Sequence, residues 1–152
     1  MADGYRVRRA SMADLATLVE LTEQEALEAE GRPPASTRVR QGVEAGLGSE
    51  ARARYWVVVD GADRVAGAAS ITTEWSDWNA APYWWVQSCY VRPEARGTGV
   101  LELLLDAIAD EARRDGAPEL RLYVHEDNAR AVAAYRKRGF VATPYLMLAR
   151  TL

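Results

Sequence analysis

Val91-Arg92-Pro93-Glu94-Ala95-Arg96-Gly97-Thr98-Gly99-Val100, residues 91–100, is where the fold is decided. The run before it, Tyr83-Trp84-Trp85-Val86-Gln87-Ser88-Cys89-Tyr90-Val91, is apolar and ends at Pro93, which reads as a central strand. Beyond it Val100, Leu103, Leu104, Ala107 and Ile108 recur at helical spacing until Gly116 and Pro118 close the helix. The stretch is a strand-to-helix junction, and Gly97 and Gly99 let its backbone amides approach a bound group closely. Amides at a helix start carry partial positive charge and Arg96 adds a permanent cation with forked donors, so the turn suits a phosphate. An ordinary glycine-containing helix cap would use the same residues. No Gly-Lys-Ser/Thr follows, which excludes a P-loop, and the third glycine of a dinucleotide-binding turn is absent.

Upstream, a short strand over Tyr5 to Arg9 precedes Ser11, which stands three residues ahead of Asp14 in a capping arrangement. The spacing of Leu15, Leu18, Val19 and Leu21 predicts a first helix there. It runs through Glu23, Glu25, Glu28 and Glu30 until Gly31-Arg32-Pro33-Pro34 stops it. Ser36 or Thr37 caps a second helix carrying Val39, Val43 and Leu47, with Gly46 and Gly48 at its end. Tyr55 to Val59 and Arg64 to Thr73 form a hairpin around Asp60-Gly61-Ala62-Asp63, and Glu74 to Pro82 reads as a loop. Downstream, Leu120 to Val124 alternates as a strand and Asp127 or Asn128 caps a last helix with Ala131, Ala134 and Tyr135. Gly139 ends that helix, and a final strand covers Tyr145 to Arg150. The order β, α, α, β, β, β, α, β, α, β is a mixed α/β (α+β) unit, read as one domain over residues 1–152.

Composition narrows the function. The chain has 152 residues, 49% of them hydrophobic and 27% charged, enough for one core. Its 19 basic and 22 acidic residues give a net charge of -3, which argues against nucleic acid and anionic membranes as partners. One cysteine, Cys89, and one histidine, His125, cannot build a zinc site from the usual ligands, so no metal is expected. The start Met1-Ala2-Asp3-Gly4-Tyr5-Arg6 lacks a signal pattern, and a cytoplasmic location is the expectation.

A second informative segment, Leu122 to Phe140, contains Asn128, Ala131, Tyr135, Gly139 and Phe140 at fixed spacing. Together with Arg96 and Gly99, it resembles the GCN5-related N-acetyltransferase (GNAT) family. That family's acyl-CoA turn reads Arg/Gln-x-x-Gly-x-Gly/Ala, and its last helix reads Asn-x-x-Ala-x-x-x-Tyr-x-x-x-Gly-Phe. The element order agrees over nearly the whole chain, whereas the motif-level match lies between Val91 and Phe140. The resemblance implies the family fold, a central mixed and mostly antiparallel sheet flanked by four helices, with acetyl-CoA as acyl donor and no metal.

Residue by residue, it implies that amides of Gly97, Thr98, Gly99, Val100 and Leu101, with Arg96, hold the pyrophosphate. The central strand at Cys89, Tyr90 and Val91 would pair with the pantetheine arm, with the Cys89 amide facing the thioester carbonyl. Asn128 and Ala131 would line the arm, and Tyr135 would be the general acid that protonates the departing thiolate. Leu101 departs from the family's glycine or alanine, but backbone amides survive any residue except proline. Trp85 and Tyr123 occupy positions where many relatives carry a catalytic glutamate.

A base must therefore come from elsewhere, and Glu74 and Asp77 are the nearest acidic residues in sequence before the central strand; a water relay is the other option. Four of five tryptophans, Trp75, Trp78, Trp84 and Trp85, crowd the same region beside Tyr83. Rings mixed with Glu74 and Asp77 suit a protonated amine, though core or a subunit interface would use the same rings. The acidic run from Glu23 to Glu30 could border an amine site or simply be a solvated face. Cys89 reads as a small core residue rather than a nucleophile, because no cation is evident to lower its pKa. The reading is an N-acetyltransferase acting directly on a primary amine of a small molecule, with Tyr135, Glu74 and the Cys89 amide as catalytic groups. Glu74, Trp75, Asp77 and Trp85 form the amine site. A homodimer, through the tryptophan segment or the final strand, fits the family. The alternatives are an acyl-CoA sensor without turnover, and an enzyme acting on a protein lysine or N-terminal amine.

Overall fold

The computed structural model describes residues 3–32 and 34–152. Met1, Ala2 and Pro33, which the leader and helix-stop readings used, lie outside them. A sheet of five strands, β1 (Arg6–Arg9), β2 (Arg54–Val59), β3 (Val65–Ser76), β4 (Ala81–Val91) and β5 (Leu120–Leu122), runs in the order β1-β2-β3-β4-β5. All neighbours are antiparallel except β4 and β5. Four helices flank it: α1 (Leu15–Glu30), α2 (Ser36–Leu47), α3 (Val100–Arg114) and α4 (Ala129–Lys137).

The alternation of strand side chains splits the core in two. Trp56, Val58, Trp84 and Val86 point to the α3 side and pack with Val100, Leu104 and Ile108. Val57, Val59, Ala68 and Tyr90 point to the other side and meet Leu15, Leu18 and Leu21 of α1 and Val43 of α2. The entry to α1 is fixed by a capping box, with Ser11 accepting from Ala13 and Asp14 accepting from the Ser11 amide, while both Asp14 oxygens take an Arg8 guanidinium at 2.9 Å. Gly31, left-handed at φ 72°, ends the helix.

Four expectations are corrected. Neither Ser36 nor Thr37 caps α2; Ala35 occupies that position without a side-chain bond. The stretch Glu74 to Pro82 is no loop: β3 and β4 extend through it, pairing Glu74 with Tyr83 and Ser76 with Ala81. Pro82 is tolerated because β5 pairs only as far out as Trp84, so no ladder donor is needed on that side. The strand at Leu120 stops at Leu122 instead of Val124. The final strand from Tyr145 to Arg150 does not form: a strand needs a paired neighbour along its length, and the chain beyond Phe140 runs exposed without lying against either free edge of the sheet.

Candidate active site

The site is built where two adjacent strands part. On β4 the register with β3 slips between Val86 and Ser88, so Gln87 is an extra, bulged residue. On the other side β4 pairs with β5 only through Trp84, Trp85 and Val86. Past the bulge, Ser88 to Val91 keep β3 as a neighbour but have no strand on the second edge, and their outward backbone groups are left for other partners.

Three elements converge on that edge. From α1, the Glu25 carboxylate accepts the Cys89 backbone N–H at 3.2 Å and a hydrogen bond from the Ser88 hydroxyl. From α4 on the opposite face, the Tyr135 phenol reaches the Cys89 thiol, with its ring edge-on to Phe140 at 5.7 Å. Burial raises the Glu25 pKa above the ordinary glutamate value, and the bonds from Ser88 and Cys89 offset only part of the shift. Burial and the adjacent negative groups also push the Tyr135 phenol far up, so it stays protonated at neutral pH. Burial and Glu25 push the Cys89 thiol up to about 12, which disfavours the thiolate that a nucleophile needs.

The phosphate-type turn follows. Arg96 holds the Val91 carbonyl through Nε at 2.9 Å and meets both oxygens of Glu28 at 2.8 and 2.9 Å. Glu28 also accepts from the Tyr90 hydroxyl at 2.7 Å, and Arg92 pairs with Glu20 at 2.8 Å. The acidic face of α1 is thus bonded across to β4 and the turn through Glu20, Glu25 and Glu28. Burial would raise the Glu28 carboxyl, but its bonds from Tyr90 and Arg96 prevail and hold it below the usual range. Gly97 and Gly99 are left-handed at φ 76° and 93°, and a Cβ on Gly97 would meet nothing within 4 Å. Thr98 bonds back to the Ala95 carbonyl at 2.6 Å. Gly99 caps α3 without a side-chain bond, so the amides of Val100 and Leu101 are free for an anion. Gly67 lets α3 start this close to the sheet: a Cβ there would lie 2.9 Å from Val100 Cγ1 and 3.0 Å from the Tyr90 carbonyl.

On α4, Asn128 is the helix cap, its Oδ1 accepting the Ala131 amide at 3.1 Å, so its Nδ2 is the atom left to reach a ligand. His125 is exposed beside it.

The other predicted amine-site residues lie elsewhere. Glu74 pairs with Tyr83, five positions along β3 from Ala69, the partner of Cys89, and so is roughly 17 Å away at the usual rise. It bonds Trp85 Nε1 at 3.2 Å and Arg121 at 3.4 Å. Trp85 stacks on Tyr123 at 4.6 Å, while Arg121 lies over Tyr83 at 3.5 Å. Trp75 and Trp78 are exposed on the β3–β4 arm with Asp77, and Trp84 is core. The structure does not bring Glu74, Trp75 or Asp77 together with Cys89 and Tyr135. Sequence reasoning missed Glu25 as a site residue; its only signal was membership of the acidic run, and the side of α1 that meets β4 depends on tertiary packing. Among the described residues no group of three or more His, Cys, Asp and Glu is placed to hold a metal ion, and no helix is long and apolar enough to cross a membrane.

Residues 15–140 match the model of the Acetyltransferase (GNAT) family. A streptothricin acetyltransferase of Streptomyces lavendulae is 37% identical over 93 residues, 61% of this chain and 47% of that protein. An IAA acetyltransferase of Azospirillum brasilense is 39% identical over 74 residues, 49% of this chain and 44% of that one. The chain spans about half the length of the curated relatives it matches. Among solved structures, a possible acetyltransferase from Clostridium difficile 630 is 30% identical and superposes with a TM-score of 0.90, covering 99% of both chains.

Proposed function

The chain belongs to the GNAT acetyltransferase family, and from that premise we propose that it transfers the acetyl group of acetyl-CoA directly to a primary amine of a small molecule. The residues present suit the coenzyme: left-handed Gly97 and Gly99, uncapped amides at the start of α3, and β4 backbone on an open edge. Gly97 to Leu101 and Arg96 would hold its pyrophosphate, and Cys89 to Val91, Asn128 and Ala131 its pantetheine arm. Acetyl-CoA, when bound, supplies an activated acyl carbonyl. The small-molecule preference is supported by the relative named for streptothricin.

The observation that carries the reading is the Glu25 carboxylate on the Cys89 amide, with the Tyr135 phenol at the same residue. Glu25 takes the role that the sequence had assigned to Glu74. One N–H cannot serve two acceptors fully, so Glu25 gives up its bond from Cys89 when a substrate carbonyl takes it, and keeps the one from Ser88. The freed oxygen faces the reacting edge and accepts a proton from the amine. Tyr135, still protonated, delivers its proton to the leaving sulfur, so one proton enters and one leaves the pair of residues. Ser88 is a positioning residue that holds the carboxylate in place.

The test is amine-dependent thiol release with purified protein and acetyl-CoA, screened over aminoglycoside-like and streptothricin-like amines. Turnover that falls in Glu25→Gln while CoA affinity holds supports the assignment. Micromolar CoA binding with no turnover on any amine would favour the sensor reading instead.

A further inference from the structure

Arg92 donates its amide to the Ala66 carbonyl of β3 at 2.9 Å, so by strand alternation Cys89 and Val91 turn their backbone groups to the edge of β4 that β5 leaves open. Side chains of the same molecule close that edge. Glu25 takes the Cys89 N–H at 3.2 Å, and Arg96 Nε donates to the Val91 carbonyl at 2.9 Å. Arg96 is held there from two further sides. Its Nη2 meets both oxygens of Glu28 at 2.8 and 2.9 Å, and its guanidinium carbon lies 5.4 Å from the centre of the Tyr90 ring. The Tyr90 hydroxyl donates to the same Glu28 carboxylate at 2.7 Å. Glu25 and Glu28 stand three positions apart on α1, so one helix face supplies the acid behind both closures. A strand-like arm along this edge brings an acceptor for the Cys89 amide and a donor for the Val91 carbonyl, the same chemistry that Glu25 and Arg96 present.

We propose that Glu28 is a positioning residue that holds Arg96 on the Val91 carbonyl and competes with the coenzyme's pyrophosphate for it, so that binding opens the Glu28–Arg96 pair and turns Arg96 from the strand edge to the glycine turn. The proposal rests on the coenzyme reading given above. The exchange is one of ion pairs alone: the guanidinium leaves a carboxylate and a carbonyl and takes phosphate oxygens, for which its forked donors are suited. The released groups are not stranded. The pantetheine arm takes over the Val91 carbonyl, and Glu28, whose side chain is 47% exposed, keeps its bond from Tyr90 and meets water. An exposed pair of this kind lowers coenzyme affinity by up to about fivefold, because only chains in which it has opened are competent to bind. The Glu28 charge beside the incoming phosphates adds to the effect.

The test reads CoA affinity by calorimetry and needs no turnover. Glu28→Gln keeps an oxygen for the Tyr90 hydroxyl and removes the charge, and it binds CoA about threefold to tenfold more tightly than wild type. In the Arg96→Gln background the same change gives less than about a twofold gain, because no guanidinium remains to be released. A merely structural role for Glu28 weakens binding in both backgrounds. Weaker or equal binding in Glu28→Gln, or the same gain with and without Arg96, would overturn the competition and leave the coenzyme reading standing. Failure of the folded wild type and every variant to bind CoA would overturn both. Should Glu28→Gln not fold, the wild type decides it by nuclear magnetic resonance. The Arg96 Nε–H signal, assigned by its absence from Arg96→Gln, shifts on addition of CoA as its bond to Val91 is replaced, and a signal that stays in place at saturation contradicts the exchange.

Discussion

The carboxylate of Glu25 sits 3.2 Å from the backbone nitrogen of Cys89, across the gap that opens where β4 outruns β5. In the proposed function that amide is the donor for the acyl carbonyl and Glu25 is the base freed as substrate displaces it, an assignment with consequences for rate, pH and stability.

Tyr135→Phe keeps the ring against Phe140 and removes only the hydroxyl. Turnover falls by about 10²-fold or more with CoA affinity within a factor of two or so, if proton delivery to sulfur is its role. Stopped-flow thiol release and calorimetry with CoA measure the two separately; an unchanged rate removes the assignment.

Ser88→Ala leaves Glu25 without its hydroxyl donor but keeps the Cys89 amide. The carboxylate loses a stabilising bond to its charged form, so its pKa rises further and the acid limb of the kcat/KM profile moves to higher pH. A limb that stays in place means that Ser88 does not position the base.

Gly67→Ala places a Cβ 2.9 Å from Val100 and 3.0 Å from the Tyr90 carbonyl, and backbone cannot step aside cheaply. The start of α3 shifts, destabilising the fold by about 1–3 kcal/mol and weakening CoA binding more than it lowers turnover at saturation. Thermal melts with and without CoA report both effects.

Asp14, 7% exposed, is held below the usual carboxylate range chiefly by its hydrogen bond from Arg8. A depressed native pKa contributes stability that is present above the unfolded value and is lost as pH falls through the native one. Asp14→Ala therefore lowers stability by about 3 kcal/mol at pH 7, and the deficit narrows in acid. Urea midpoints at neutral and acidic pH test the sign; a deficit that does not vary with pH contradicts it.

Much of this was legible in the sequence, for a local reason. Gly97, Gly99 and Gly139 take left-handed backbone, and Ser11 and Asn128 cap where their spacing to the following helix places them. Such signals are complete within one turn of chain. What was not legible depends on partners far away. Glu25 reaches residues 63 and 64 positions on, and nothing in its own segment says which carboxylate of the run faces β4. Glu74 is nearest to the central strand in sequence but distant in space, because a hairpin arm carries it along β3. The tail from Tyr145 has strand chemistry but is laid against neither free edge of the sheet, and where a segment lies relative to an edge is set by tertiary packing.

The most direct measurement is the pH dependence of kcat/KM for acetyl transfer in wild type and Glu25→Gln. Glutamine keeps an Oε1 that accepts from the Cys89 amide, and its Nε2 donates to the Ser88 hydroxyl, which turns to accept, so the fold and CoA affinity hold. Because Glu25 must be ionised to accept a proton and burial raises its pKa, the wild-type rate falls as pH drops through a limb above the ordinary glutamate range. Glu25→Gln loses that limb together with about 10²-fold or more in rate, leaving only the titration of the amine itself. An unchanged rate and profile in a folded, CoA-binding Glu25→Gln would contradict the account.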